Sequence, residues 1–137
     1  MNGKAAFLLN GLGLFAGGFE MYMKSEKFTD GLKGKKLDQS GPIGIAANMA
    51  FKKYGLLAMA FAFPTIALAF EPDSSLFKLQ MGSALLLYHI GCIVTCKVLR
   101  SWSAKNEKLT NVSMVVHTVL MIPTAGYVAT NLSVISG

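Results

Sequence analysis

LFKLQMGSALLLYHIGCIVTCKVL, the stretch from Leu76 to Leu99, decides the fold of this chain. Lys78 and Lys97 bracket eighteen residues that carry no charge other than a histidine. As an α-helix those eighteen residues would be about 27 Å long, close to the roughly 30 Å hydrocarbon thickness of a bilayer. The stretch is therefore predicted to be a membrane-spanning helix.

The same helix has two different faces. At about 100° per residue, Leu87, Val94 and Val98 lie on one side and form a purely apolar surface. The opposite arc holds the small or polar residues Gly82, His89, Cys92 and Cys96, together with Leu85. We interpret the first face as lipid-facing and the second as facing other helices.

The composition extends this interpretation to the whole chain of 137 residues, which is 53% hydrophobic and only 15% charged. The apolar residues collect into four blocks, at about residues 5–23, 54–70, 76–99 and 110–135. Such blocks are typical of membrane spans and not of one water-soluble core. The predicted fold is a single all-α integral membrane domain, a bundle of four transmembrane helices.

The segment between the first two blocks, residues 24–53, is rich in lysine, glycine and turn-forming pairs and is predicted to be a surface loop. Its second half, PIGIAANMAFKK from Pro42 to Lys53, is apolar and permits two interpretations. It is either a short helix lying in the membrane interface or an extension of the second span. The sequence favours neither.

Basic residues predict the orientation, because they concentrate on the side that is not translocated. Eleven of the thirteen lie in residues 24–53 and 97–108, and two, Lys4 and Lys78, lie on the other side. Four spans then place both termini on one side and both basic loops on the other, facing cytosol, matrix or stroma. The net charge of +6 is explained by this surface, so no nucleic-acid partner is expected. Anionic lipid is expected at Lys33, Lys35, Lys36, Lys52, Lys53 and Arg100.

The first span carries a stripe of small and polar residues at intervals of three and four: Asn10, Gly13, Gly17, Glu20 and Lys24. Gly13 and Gly17 form a G-x-x-x-G pair, a spacing that lets a second helix approach the backbone closely. These two glycines are predicted to be helix-packing positions.

Three ionisable residues lie inside the spans, where each costs several kcal/mol unless it has a partner. They are Glu20, His89 and His117. Glu20 is expected to pair with Lys24 one helical turn away, and the alternative makes it a proton-handling group or a partner of His117. His89 and His117 are both expected to face inward on neighbouring antiparallel helices.

Two opposed histidines permit a sharper hypothesis, axial ligation of a b-type haem by His89 and His117. The more ordinary interpretation is that they hydrogen-bond across the helices. A soft metal held by His89, Cys92 and Cys96, with Met121 as a fourth ligand, is a weaker alternative. Cysteines four residues apart on one helix do not favour a disulfide, so reduced thiols are expected.

No catalytic motif is present, and the inward polar stripes indicate specific helix contacts. The function predicted from sequence is a non-catalytic accessory subunit of a larger membrane complex, with other membrane subunits and lipids as partners. An energy-transducing inner membrane, mitochondrial or thylakoid, is the expected location. A haem-binding redox anchor is the alternative, and a small enzyme or carrier acting on lipid or quinone comes third.

Overall fold

The protein is described by a computed structural model that covers residues 3–28, 40–102 and 107–132. Its four long helices are α1 (Gly3–Met23), α2 (Pro42–Leu68), α3 (Leu76–Trp102) and α4 (Glu107–Asn131). No strand occurs in these described ranges. The prediction of an all-helical chain is confirmed.

Three of the helices are long and apolar enough to cross a membrane: Pro42–Leu68, Leu76–Val98 and Asn111–Asn131. The helix α1 has 21 residues but is not among the three, because Asn10, Glu20 and its glycines lower its mean hydropathy. Membrane-spanning helices are thus supported for three of the four predicted blocks.

One observation bears on the two interpretations of the segment from Pro42 to Lys53. These residues are continuous with the rest of α2, a single helix of 27 residues. Pro42 stands in the first turn, where its missing N–H costs nothing, and Gly41 precedes it as the N-cap residue. The helix therefore begins twelve residues earlier than the predicted second span.

Consecutive helices run antiparallel. Along α1 and α2, Gly11 lies against Ile66 and Gly18 lies against Gly55. Between α3 and α4, Cys96 contacts Ser113 near one end, and Gly82 lies against Tyr127 near the other. The helix α4 also packs along α1, where the Phe7 and Tyr127 rings meet edge to face with centroids 5.4 Å apart.

One end of the bundle is closed by Lys78, whose side chain is only 1% exposed. Its Nζ donates to the Glu71 carbonyl oxygen at 2.7 Å and to Asp73 Oδ1 at 2.8 Å. The rings of Phe7 and Tyr127 lie 5.5 and 5.8 Å from the same nitrogen. A buried lysine is tolerated here because its charge is paired and faces aromatic rings.

Asp73 connects three helices at that end. It accepts from the backbone N–H of Gly3 through Oδ2 at 3.3 Å, and its carbonyl oxygen accepts from the Tyr127 hydroxyl at 3.1 Å. The hydrogen bond from Lys78 is the main reason why the pKa of the Asp73 carboxyl lies below its ordinary value. The first residues of α1 are thus tied to the turn between α2 and α3.

Polarity is partly inverted between the core and the surface. The buried side chains include Asn10, Thr65, Lys78, His89 and Thr124. Large apolar side chains cover the outside, among them Leu87 at 71% exposed and Phe63 at 65% exposed. Soluble monomers rarely present contiguous apolar surface on this scale, whereas a helix bundle in lipid does.

Candidate functional site: a hydrogen-bond chain across three helices

The central feature of the interior is a contact between the two histidines. His89 Nδ1 and His117 Nδ1 lie 2.9 Å apart, and the ring centroids are 5.2 Å apart with the planes tilted by 49°. His89 is 1% exposed, and His117 is partly buried. Antiparallel packing of α3 and α4 brings the two rings together; the sequence predicted that both face inward on neighbouring helices, but not that they lie at the same level.

Asn10 of α1 joins this pair from the opposite side. Its Oδ1 is in hydrogen-bond contact with His89 Nε2. Its Nδ2 donates to the Ala6 carbonyl oxygen and to Thr124 Oγ1, both at 2.8 Å. Asn10 is 1% exposed, and these three hydrogen bonds satisfy all the polar atoms of its side chain inside the protein.

Which group donates and which accepts in each of these hydrogen bonds can be worked out by starting from Thr124. Thr124 Oγ1 donates its only proton to the Leu120 carbonyl oxygen at 2.9 Å, so the same oxygen accepts from Asn10. Both protons of Asn10 Nδ2 are then used, and Oδ1 is left as an acceptor. His89 Nε2 must therefore carry the proton that it shares with Asn10.

The same logic fixes the tautomer of the second histidine. A neutral imidazole protonated on Nε2 has Nδ1 as its acceptor, so His89 Nδ1 accepts and His117 Nδ1 donates. His117 is then protonated on Nδ1, and its Nε2 carries a lone pair. Within the part of the chain that the structure describes, no residue hydrogen-bonds to that Nε2 atom.

The arrangement provides a test of the haem hypothesis. A metal to imidazole bond is about 2 Å long, so nitrogens on opposite sides of one iron would lie about 4 Å apart. Here the two facing nitrogens are 2.9 Å apart and hydrogen-bonded to each other. The pair as it stands does not fit axial ligation, and a haem between the histidines would require the two rings to separate.

The thiols of α3 are both free. Cys96 is buried and its Sγ donates to Ser113 Oγ at 3.4 Å, while Cys92 is partly buried. Among the described residues, no group of three or more His, Cys, Asp or Glu side chains is placed to hold a metal. On α4, Ser113 Oγ accepts from Cys96, and Thr124 Oγ1 accepts from Asn10.

Glu20 has the local partner that its spacing suggested. Lys24 Nζ lies 3.0 Å from Glu20 Oε1, and the two side chains are 51% and 55% exposed. An exposed pair of this kind contributes little to stability, about 0.3–0.5 kcal/mol on a helix. Because Glu20 forms its ion pair with Lys24, the structure gives no support to a pairing of Glu20 with His117.

The two predicted packing glycines differ in their surroundings. A methyl group on Gly13 would lie 2.9 Å from Leu120 Cδ1, whereas one on Gly17 would meet no atom within 4 Å. Gly18 and Gly55 bring the backbones of α1 and α2 together, since a methyl group on either would lie 2.6 or 2.5 Å from the carbonyl oxygen of the other glycine. The packing of α1 on α2 therefore depends on glycines outside the G-x-x-x-G pair.

The predicted lipid-binding residues are only partly described. Lys52 and Lys53 are exposed on α2, as are Lys24, which directly follows α1, and Lys97 on α3, all toward the same end of the bundle. The predictions for Lys33, Lys35 and Lys36 fall outside the described residues, and so does the side chain of Arg100.

Asn10 and Lys78 are two interior residues whose roles the sequence did not reveal. Asn10 was visible as part of a polar stripe, but its spacing gave no indication that it would meet His89 or Thr124. Lys78 marked the end of a span, and only the folded turn at Glu71 to Asp73 shows why it is buried. In both cases the partner lies on another element or across a turn.

Comparisons with protein-family models, with curated proteins and with solved structures find no match for this chain. The class defined by the fold is an all-helical protein with three helices suited to cross a membrane.

Proposed function

We propose that this protein is a four-span, non-catalytic accessory subunit of a larger membrane protein complex, with Asn10, His89, His117 and Thr124 as an internal polar clamp. The observation that carries the proposal is the hydrogen-bond chain itself. It joins α1, α3 and α4, and it uses all the polar atoms of Asn10 and Thr124 within the protein. A clamp of this kind gives a bundle one defined arrangement of helices.

The fourth span is α1. From Gly3 to Met23 it has 21 residues, which corresponds to about 32 Å and matches the hydrocarbon thickness. It packs along α2 through Gly11 and Gly18 and places Asn10 in the centre of the bundle. A helix whose central polar residue is enclosed by its neighbours, as Asn10 is, can span a bilayer with a lower mean hydropathy than an isolated one.

The orientation follows from the basic residues. Lys24, Lys52, Lys53 and Lys97 lie toward one end of the bundle, and Lys78 closes the other. The positive end faces cytosol, matrix or stroma, and an inner organelle membrane rich in anionic lipid suits it. Lys33, Lys35, Lys36 and Arg100 belong to the same basic segments.

Partner subunits would contact the apolar exterior. The outer face of α3 carries Leu87 at 71% exposed and Val94 at 54% exposed, both beyond the reach of the other three helices. Between helices in lipid, association depends on close packing and not on hydrophobicity, so such a face is suited to lipid and to a neighbouring helix alike.

Site-specific crosslinking tests the subunit proposal. A photoreactive leucine analogue would replace Leu87 in protein expressed in its native membrane, and Leu79, which is 0% exposed, is the matched internal control. We expect a crosslink from position 87 to another membrane protein and none from position 79. Crosslinks from position 87 to lipid alone, together with migration as a free monomer on native gels, would contradict the proposal.

Purification of the protein from its native membrane tests the haem alternative. Protein extracted with mild detergent is expected to be colourless, and His89→Ala and His117→Ala are expected to remain colourless with moderately lower stability. An absorption band in the Soret region that both substitutions abolish would establish a haem anchor and replace the accessory role.

A further inference from the structure

A crevice lies on the surface of the bundle beside the turn that joins α2 to α3. Over their described lengths α2 packs on α1 and α3 packs on α4, but α2 and α3 do not pack along each other. The space left between them near the turn has a volume of about 230 Å³. We call it the α2–α3 crevice, and its lining residues are Pro64, Ala67, Leu68, Glu71, Ser75 and Phe77.

One wall of the crevice is a single face of α2 and of the turn that follows it. Positions 64, 67, 68 and 71 keep the helical spacing of three and four residues, so their side chains lie along one stripe. The Glu71 N–H donates to the Leu68 carbonyl oxygen at 3.3 Å, which continues the helical course to Glu71. Pro64, Ala67 and Phe77 are exposed, so the crevice opens to the outside of the bundle.

The two ends of the crevice differ in depth and in polarity. In the membrane placement proposed above, the turn between α2 and α3 lies at the level of the lipid headgroups. Pro64 is seven residues before Glu71 and therefore about 10 Å deeper. The mouth carries Glu71 and Ser75, and the deep end is apolar. A cavity of about 150 Å³ already holds a benzene molecule, so this crevice has room for a small headgroup or the upper part of an acyl chain.

The mouth carries a carboxylate that has no partner in the protein. Lys78 donates to Asp73 Oδ1 at 2.8 Å and to the Glu71 carbonyl oxygen at 2.7 Å. The carboxylate of Glu71 itself forms no ion pair or hydrogen bond within the part of the chain that the structure describes. Lys4, at the same end of the bundle, has its Nζ 5.1 Å from the centre of the Phe70 ring. The Glu71 carboxylate is therefore available to a cation from outside the chain.

A primary ammonium suits this mouth better than a quaternary one. Ser75 Oγ receives only a long contact of 3.4 Å from the Lys78 N–H, so it keeps a lone pair. The three N–H groups of a primary ammonium can donate to both oxygens of Glu71 and to Ser75 Oγ, whereas a quaternary ammonium has no N–H to donate. An ethanolamine headgroup combines such an ammonium with an apolar tail.

We propose that the α2–α3 crevice binds a lipid with an ethanolamine headgroup, whose ammonium pairs with Glu71 and whose chain lies against Pro64, Ala67 and Phe77. The apolar walls hold the chain, and Glu71 provides the preference for the headgroup. The inference rests on the membrane placement of α2 and α3 and not on the accessory role. It adds a specific lipid at the end of the bundle opposite to the basic end.

The test uses full-length protein in nanodiscs that contain phosphatidylethanolamine and phosphatidylcholine with the same acyl chains. The two lipids share their phosphate, so contacts of lysines with phosphate affect both alike. Native mass spectrometry after release from the nanodisc counts the lipids that stay bound. We expect about tenfold higher retention of phosphatidylethanolamine, a ratio that one charge-assisted hydrogen bond is sufficient to produce.

Two substitutions address the two parts of the crevice, and each has a matched control. Glu71→Gln removes the charge at nearly constant size and is expected to abolish the preference, whereas Glu20→Gln, at the opposite end of the bundle, should retain it. Ala67→Phe fills the crevice and should lower retention of phosphatidylethanolamine about tenfold, to the level of phosphatidylcholine. Val94→Phe, at an exposed position near the other end of α3, should behave like the wild type.

Equal retention of the two lipids by the wild type would overturn the assignment, as would a preference that survives both Glu71→Gln and Ala67→Phe. A photoreactive residue at position 67 that crosslinks to a protein and not to lipid in the native membrane would also overturn it, because a partner side chain would then fill the crevice. The nanodiscs contain no partner subunits. Loss of the lipid preference there would reject this site and leave the proposed accessory role standing.

Discussion

His89 Nδ1 accepts a hydrogen bond from His117 Nδ1 across a distance of 2.9 Å, and this single contact gives the two histidines opposite tautomers. His89 is protonated on Nε2 because Asn10 Oδ1 lies there, and His117 is protonated on Nδ1 because His89 can only accept. The pair is neutral, directional and dependent on a residue of the first helix.

The tautomers themselves can be measured. Nitrogen NMR of histidine-labelled protein in nanodiscs should show one Nε2-protonated and one Nδ1-protonated histidine, both neutral, near pH 7. His117→Ala should remove the Nδ1-protonated signal alone. Two histidines of the same tautomer would show that the direction of the chain has been misassigned.

Asn10→Leu should destabilise the bundle, because it leaves the His89 Nε2 proton without its acceptor. Hydrogen bonds between membrane helices average about 0.6 kcal/mol, and an unsatisfied buried donor costs about 1–3 kcal/mol. We expect a loss of about 1–2 kcal/mol, measured by reversible unfolding in mixed micelles. Leu12→Ala on the same helix, where Leu12 is 59% exposed, is the control. Equal effects of the two substitutions would argue against the clamp.

Adjacent glycines of α1 should respond in opposite ways to alanine. In Gly18→Ala the new methyl group meets the Gly55 carbonyl oxygen, which is backbone and cannot move aside. A loss of about 1–3 kcal/mol is expected from such overpacking. In Gly17→Ala the methyl group enters open space, and a gain of up to about 1 kcal/mol is expected from helix propensity. Comparable losses at both positions would disprove the observed register of α1 on α2.

Acid should weaken the closed end of the bundle through Asp73. Its pKa in the folded protein is below the ordinary value of 3.8, mainly because Lys78 donates to it. The stabilisation is therefore complete above the unfolded pKa and is lost as the pH falls through the lower folded pKa. Asp73→Asn should flatten the thermal stability profile below about pH 4. An unchanged acid profile in that variant would assign the loss to other groups.

The topology is open to a direct test. A tag at Gly137 should be accessible from one side of the membrane, and Lys33 to Lys36 should react with an impermeant amine reagent from the other. This outcome follows from eleven basic residues on one side against two on the other. Access to both from the same side would reject four spans.

The local sequence pattern was sufficient to predict the helices and the faces that they turn inward. Helix formation and span length depend on runs of neighbouring residues, so blocks such as 76–99 and 110–135 could be located without any tertiary contact. The Glu20 to Lys24 pair, one turn apart on a single helix, was predictable for the same reason. The continuity of Pro42 to Lys53 with α2 was not, because an amphipathic start and an extended span have the same local pattern.

Relations between helices were decided only by the tertiary structure. The sequence placed His89 and His117 on inward faces and Asn10 in a polar stripe, but the register of α1 against α3 and α4 determines which residues they bond to. It also separates Gly17, which meets open space, from Gly18, which touches the backbone of α2. A shift of one residue rotates a helix by about 100° and would exchange these contacts, so they depend on packing that no single stretch of sequence encodes.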